Sequence, residues 1–144
     1  PFQPGNSKVG LMFRDGTQPG ARFVFLGLYA GVVALLESRA QAGQPTAFQF
    51  GAAGVVWLRL VRTGDQFQGW ASNDGVAWIA VGAPVSLPGL PASLLAGLSV
   101  SSGTAGLLNP VPRFDQVSLT ASTGAIAIDQ TLVSLAAGQG TQFT

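Results

Sequence analysis

The sequence has no cysteine and no histidine, and a single lysine and a single methionine among its 144 residues. Without thiols there is no disulfide and no thiol chemistry, and without imidazoles the commonest general base and the commonest transition-metal ligands are gone. The lack of cysteine is compatible with an extracellular setting. Charge is scarce as well: seven basic and six acidic side chains make up 9% of the chain and leave a net charge of +1. The basic residues Lys8, Arg14, Arg22, Arg39, Arg59, Arg62 and Arg113 stand singly. Phosphate binding needs cations clustered on one face, so nucleic acid is not an expected partner. Long hydrophobic runs are also lacking, despite a mean hydropathy of +0.40. The longest, Phe23 to Leu36, spans fourteen residues and is interrupted by Gly27 and Gly31. A spanning helix needs about 20 residues, so no membrane insertion is expected.

The six acids are Asp15, Glu37, Asp65, Asp74, Asp115 and Asp129. A glycosidase needs two carboxylates about 5–9.5 Å apart across a cleft, and no pair here stands out for that role. Asp15, Asp65 and Asp74 sit in turn-like segments, where Asp hydrogen-bonds its own backbone. No loop gathers the carboxylates that a calcium ion's six to eight oxygen ligands require. The expectation is therefore a chain with no catalytic residue, no metal and no cofactor.

What is present is apolar and turn-rich: 47% hydrophobic residues, 20 glycines and 9 prolines. The length suits one domain with a proper core. Short runs of β-branched and aromatic residues recur about every ten residues between Gly, Pro, Asn and Asp, which predicts an all-β sandwich or barrel. Strands are expected at about Lys8–Arg14, Ala21–Ala30, Val32–Ser38, Thr46–Phe50, Val55–Thr63, Gln66–Ser72, Ala77–Val81, Leu94–Ser101 and Arg113–Thr120, with a last one over Ala125–Leu135 that has a possible break. The long apolar run becomes a hairpin, with Ala30-Gly31 as the reversal, because glycine reaches positive φ without a Cβ clash. Alternation in Val55–Arg62 places Val56, Leu58 and Leu60 toward the core and Trp57, Arg59 and Val61 outward. In Phe23–Tyr29 both faces are apolar, as though each were covered.

Several segments carry a resemblance. Lys8-Val-Gly-Leu-Met-Phe-Arg14, Pro19-Gly-Ala-Arg-Phe-Val-Phe25, Val56-Trp-Leu-Arg-Leu-Val-Arg-Thr-Gly64, Ser72-Asn-Asp-Gly-Val-Ala-Trp78, Leu95-Ala-Gly-Leu-Ser-Val100 and Arg113-Phe-Asp-Gln-Val-Ser-Leu119 follow one another in order. Together they are similar to the concanavalin A-like lectin/glucanase modules of large secreted bacterial proteins. The resemblance covers about residues 8–120 and implies an antiparallel two-sheet jelly-roll sandwich in an exported parent protein. Ser72–Trp78 also resembles the Asp-box hairpin of sialidases, with the Asp-to-Gly spacing one residue short; there, too, the motif is a structural turn. Two departures stand out. Members of the family carry further strands before the first of these segments, where this chain has seven residues, so one sheet edge is expected to lack a neighbour. Residues 121–144 extend past the family's last strand, and Thr131–Thr144 resembles the opening strands of a bacterial immunoglobulin-like domain.

A sandwich over residues 1–120 and a strand extension over 121–144, docked on its own or a neighbouring subunit, is the expected organisation. An open edge beside a surplus strand points to complementation. Ile126, Ile128, Leu132, Val133 and Leu135 form the candidate assembly strand, joining copies of the chain head to tail, or adjacent modules, into an extracellular fibre. The alternative is a carbohydrate-binding module, with Trp57, Arg59 and Trp70 as a platform on which a polysaccharide stacks, helped by Trp78 and Tyr29.

Overall fold

The computed structural model describes residues 6–103, 110–122 and 124–137. Ten strands follow one another: β1 (Lys8–Arg14), β2 (Phe23–Tyr29), β3 (Val33–Arg39), β4 (Ala47–Ala53), β5 (Trp57–Thr63), β6 (Gln66–Ser72), β7 (Ile79–Ser86), β8 (Leu95–Ser101), β9 (Pro110–Ser122) and β10 (Ala125–Ala137). They form two antiparallel five-stranded sheets, β4-β3-β2-β1-β8 and β7-β6-β5-β10-β9, packed as a β-sandwich. Among the described residues there is no helix, and none long and apolar enough to cross a membrane.

Alternation decides the inner faces. Val9, Leu11 and Phe13 of β1, Val24, Leu26 and Leu28 of β2, and Ala34 and Leu36 of β3 face Leu58 and Leu60 of β5, Phe67 and Ala71 of β6, and Ile128 of β10 across one core. Phe13 and Phe67 meet between the sheets with ring centroids 5.8 Å apart. Gly69 lies opposite Leu60 on the inner face of β6, and a Cβ there would run into the methyl groups of Leu26 and Leu36. The missing side chain is what lets those two leucines reach the second sheet.

Both faces of β2 are buried, because Phe25 and Leu35 are covered on the outer face by neighbours of their own sheet. Gly10 and Gly27, direct partners across β1 and β2, make this possible. The tip of the Phe25 ring occupies the space a Cβ on Gly27 would need, and the Leu26 carbonyl and Gly27 Cα occupy that of a Cβ on Gly10. Gly10→Ala therefore forces backbone apart inside a sheet. It is expected to cost about 1–3 kcal/mol or more, read as a lowered urea midpoint at unchanged slope.

One end of the sandwich is sealed and the other is not. At the β4/β7 end, Gly51 admits Val81, and the Gln49 side-chain amide pairs twice with the Ala83 backbone. Its Nε2 donates to the carbonyl at 3.1 Å and its Oε1 accepts from the N–H at 2.8 Å. Gln49 so acts as a short stretch of surrogate strand between the sheets. At the opposite end, among the described residues, β8 pairs with β1 alone and β9 with β10 alone; Ala96, Leu98, Val100 and Leu119 of their inner faces are exposed, while Phe114 still packs against the core.

The structure shifts several expected boundaries. β7 runs on to Ser86 through Pro84, and β9 begins at Pro110. Proline ends an inner strand, but both of these are edges, where the missing N–H faces away from the ladder. The expected break in the last strand takes the form of two register shifts, at Asp129/Thr131 and Leu132/Ser134, while pairing continues. Val56 is a correction: it is exposed and Val55 is buried. The strand begins only at Trp57, so the pleat that would have turned Val56 inward does not yet exist.

Candidate functional site

The outer face of the second sheet gathers the tryptophans. Register places Trp70 directly opposite Arg59 and Asp129 opposite Arg59 on the other side, with Trp57 two residues along β5. The Arg59 guanidinium donates through Nε to Asp129 Oδ1 at 2.7 Å and lies over the Trp78 ring, 4.2 Å from its centroid. Trp78 reaches this place because the Ser72–Trp78 turn folds back over β5, where Gly75 packs flat against the Trp57 ring. Trp57, Arg59 and Trp70 thus share one face: alternation along β5 sets the first two, and pairing with β6 brings Trp70 beside them. Trp78 joins Arg59 on this face, whereas Tyr29 lies on the outer face of the other sheet. Two of the rings are already engaged, Trp57 by the turn and Trp78 by Arg59. Trp70 lines an open depression of about 370 Å³ with Val61, Gln68 and Pro84. Asp129 was missed as a member of the group. Its signal was its place in a strand that alternates as β5 does, but no pairing between β10 and β5 is written in either segment alone.

The turn is held by Asp74 and Ser72. Ser72 Oγ accepts from the N–H groups of Asp74 and Gly75 at 3.2 and 2.9 Å and donates to Asp74 Oδ1 at 3.0 Å. Asp74 Oδ1 accepts from the N–H groups of Val76 and Ala77 at 2.8 and 2.9 Å. The Val76 and Ala77 N–H groups, then the Ser72 hydroxyl, hold the Asp74 carboxyl below its ordinary value of 3.8. Since the folded-state pKa is the lower one, the turn keeps this contribution above pH 3.8 and loses it as the pH falls through the folded value. The Val76 and Ala77 amide resonances are expected to titrate together with a midpoint below 3.8, and to lose that step in Asp74→Asn.

No family model, curated protein or solved structure matches the chain.

The remaining charged groups do structural work at visible places. Arg22 donates to the carbonyls of Ala40 and Pro88 at 2.7 and 2.8 Å. Arg39 donates to those of Gln44 and Pro19, both at 2.9 Å. Arg62, buried on the inner face of β5, donates to Gly64, Pro91 and Ala92 and lies over Phe67. These arginines tie loops to the sheets through main-chain oxygens. Among the acids, Asp15 accepts from the Arg22 N–H at 3.0 Å, Asp65 from that of Gly89 at 3.3 Å and Asp115 from that of Gln116 at 2.8 Å. Among the described residues no three potential ligands approach as a metal site would require.

Lys8 is paired with Glu37 at 2.6 Å on the outer face of the first sheet. Tyr29, Phe48 and Phe50 wall a pocket of about 180 Å³ around that pair. Of the five expected assembly residues, Ile128 is buried in the core and Ile126 packs against it. Both lie on β10, which the chain pairs with its own β5 and β9. The side chains of Leu132, Val133 and Leu135 lie outside the described residues.

Proposed function

We propose that the chain is a non-catalytic structural module of a secreted or cell-surface protein, which joins copies of itself by strand addition at its sheet edges. The observation that carries this reading is β8. It is an edge strand with no charge, no proline and no register shift, and it has apolar side chains exposed on its inner face. Natural edge strands are usually blunted by such features, and an unblunted one is a template for another chain. The engagement of every carboxylate by a main-chain N–H or an ion pair supports a non-catalytic role. The extracellular placement and the jelly-roll topology rest on the resemblance to secreted lectin-like modules and on the way the chain crosses between sheets after β4, β7 and β8. Because β10 lies between β5 and β9, donation of the tail to a neighbour amounts to exchange of the β9–β10 hairpin, which remakes the same hydrogen bonds on a second copy. Negative-stain microscopy at rising concentration tests the reading: filaments or discrete oligomers are expected, and single particles throughout would refute it.

A second reading, carbohydrate binding, is favoured by one observation, the open depression that Trp70 lines with Thr63, Gln66 and Gln68. An aromatic face next to fixed polar groups suits a pyranose ring. Trp70 is the clean probe, since Trp57 is packed beneath Gly75. If this reading holds, Trp70→Ala is expected to abolish retardation by soluble polysaccharides in affinity gels while leaving the fold intact. Equal mobility of the original and the variant in every gel would count against it.

A further inference from the structure

Self-association leaves open which edge meets which, and the four edges are not alike. β7 contains Pro84 and a register shift, and β9 contains Pro110, Pro112 and two shifts. β4 has a shift near its end and is bound to β7 through Gln49. Among the four described edge strands β8 alone is in register with its neighbour over all seven residues, carries neither charge nor proline, and has no seal to the opposite sheet.

Register with β1 sets its faces: Ala96, Leu98 and Val100 stand opposite Phe13, Leu11 and Val9 and so point inward. These would be core positions, yet Leu98 is 45% and Val100 50% exposed. Across the gap, Leu119 lies opposite the buried Ile128 on the inner face of β9 and is 61% exposed. Among the described residues the sandwich therefore ends in an apolar mouth, and along one lip no strand is paired to the outer edge of β8. An occupant must supply a strand for that edge and apolar side chains for the interior.

We infer that the occupant is a second copy of this chain, whose β8 pairs antiparallel with β8 across a two-fold axis so that the two mouths close on each other. This rests on the self-association proposed above and specifies its joint. Strand count supplies the first argument. With five alternating antiparallel strands, β4 and β8 run in the same direction, so a head-to-tail joint between them makes a parallel pair. A two-fold joint of β8 with β8 makes an antiparallel pair, the more stable kind. Face matching is the second: an axis normal to the sheet keeps both inner faces on one side, so Ala96, Leu98 and Val100 of each copy line one continuous interior.

Charge is the third argument. The β8 edges bring no like charges together, and each β9 edge brings one cation and one anion, Arg113 and Asp115, a set that is self-complementary between antiparallel copies. A seven-residue strand is about 23 Å long, and with a sandwich end about 20 Å thick the footprint is roughly 500 Å² per copy, at the lower bound of about 1,000 Å² in total for a specific association.

A chain without cysteine makes the test clean. Single variants Ala96→Cys, Leu98→Cys and Val100→Cys, with Phe50→Cys on β4 as control, are oxidised mildly as full-length protein and run on non-reducing gels. Cβ atoms of directly opposed residues in neighbouring strands lie within disulfide reach. At least one β8 variant is expected to yield a linked dimer at ten times the rate of Phe50→Cys or more. Ser99→Cys, on the outer face of β8, repeats the test should an inner substitution disturb the fold. Links only in a mixture of Leu98→Cys and Phe50→Cys would overturn the two-fold joint in favour of a head-to-tail one and leave self-association standing. Oligomers by light scattering with no link at any β8 position would likewise overturn the joint alone. Monomers without links in every variant would overturn both the joint and the self-association on which it rests.

Discussion

Ile128→Asp is expected to unfold the isolated chain, with the far-UV circular dichroism of the sheets lost at room temperature or a thermal midpoint lowered by well over 10 °C. Ile128 lies on β10 opposite Leu60 on one side and Leu119 on the other, and it is part of the core. Arg62, the cation on the inner face of β5, is committed to the carbonyls of Gly64, Pro91 and Ala92, and burying a carboxylate without a partner costs several kcal/mol against a total stability of about 5–15 kcal/mol. The result separates two roles for the tail. A strand that serves only a neighbour would leave the monomer folded when Ile128 is changed, whereas a strand that completes its own sheet would not. Thermal unfolding of the variant decides between them.

Phe67→Ala is the second large effect. Phe67 is fully buried, meets Phe13 between the sheets, and lies beneath the Arg62 guanidinium. Truncation removes the ring that joins β1 to β6 and leaves the buried Arg62 beside a void. A loss of about 3–5 kcal/mol is expected from the cavity alone, measured as a fall in the urea midpoint. A loss below about 1 kcal/mol would show that the two sheets are not held together at this point. Phe67→Leu, which fills part of the space, is expected to recover at least half.

Ten strands were legible because the chain alternates and punctuates clearly. β1 and β6 lie at Lys8–Arg14 and Gln66–Ser72, the residues alternation gave them, and Ala30-Gly31 reverses the hairpin with both residues at positive φ. Leu58 and Leu60 face the core as their spacing indicates. Strand ends at proline were less legible, since whether Pro84 or Pro110 stops a strand depends on whether that strand is an edge, which is a property of the assembled sheet. The same holds for Val56, where alternation was continued one residue beyond the strand that produces it.

The candidate site divides along the same line. Trp57 and Arg59 could be placed on one face from local period alone, whereas Trp70 joins them through the pairing of β6 with β5. The ion pair with Asp129, the stacking of Arg59 on Trp78 and the pairing of Lys8 with Glu37 join residues 70, 19 and 29 positions apart. Such contacts follow from sheet order, and local pattern does not determine sheet order. The apolar mouth at β8 and β9 was not legible in the sequence. Which strands form it, and that Leu98, Val100 and Leu119 point into it, emerged from register.

Self-association is tested most directly by light scattering coupled to gel filtration, on the full 144-residue chain across a hundredfold range of concentration and beside Leu98→Lys. A charge placed at the mouth should oppose closure without reaching the sealed end of the core. For the unaltered chain a mass rising from 14.7 kDa to twice that value or beyond is expected, with Leu98→Lys folded and held at the monomer mass. A folded, unaltered chain that stays at 14.7 kDa at every concentration would contradict it.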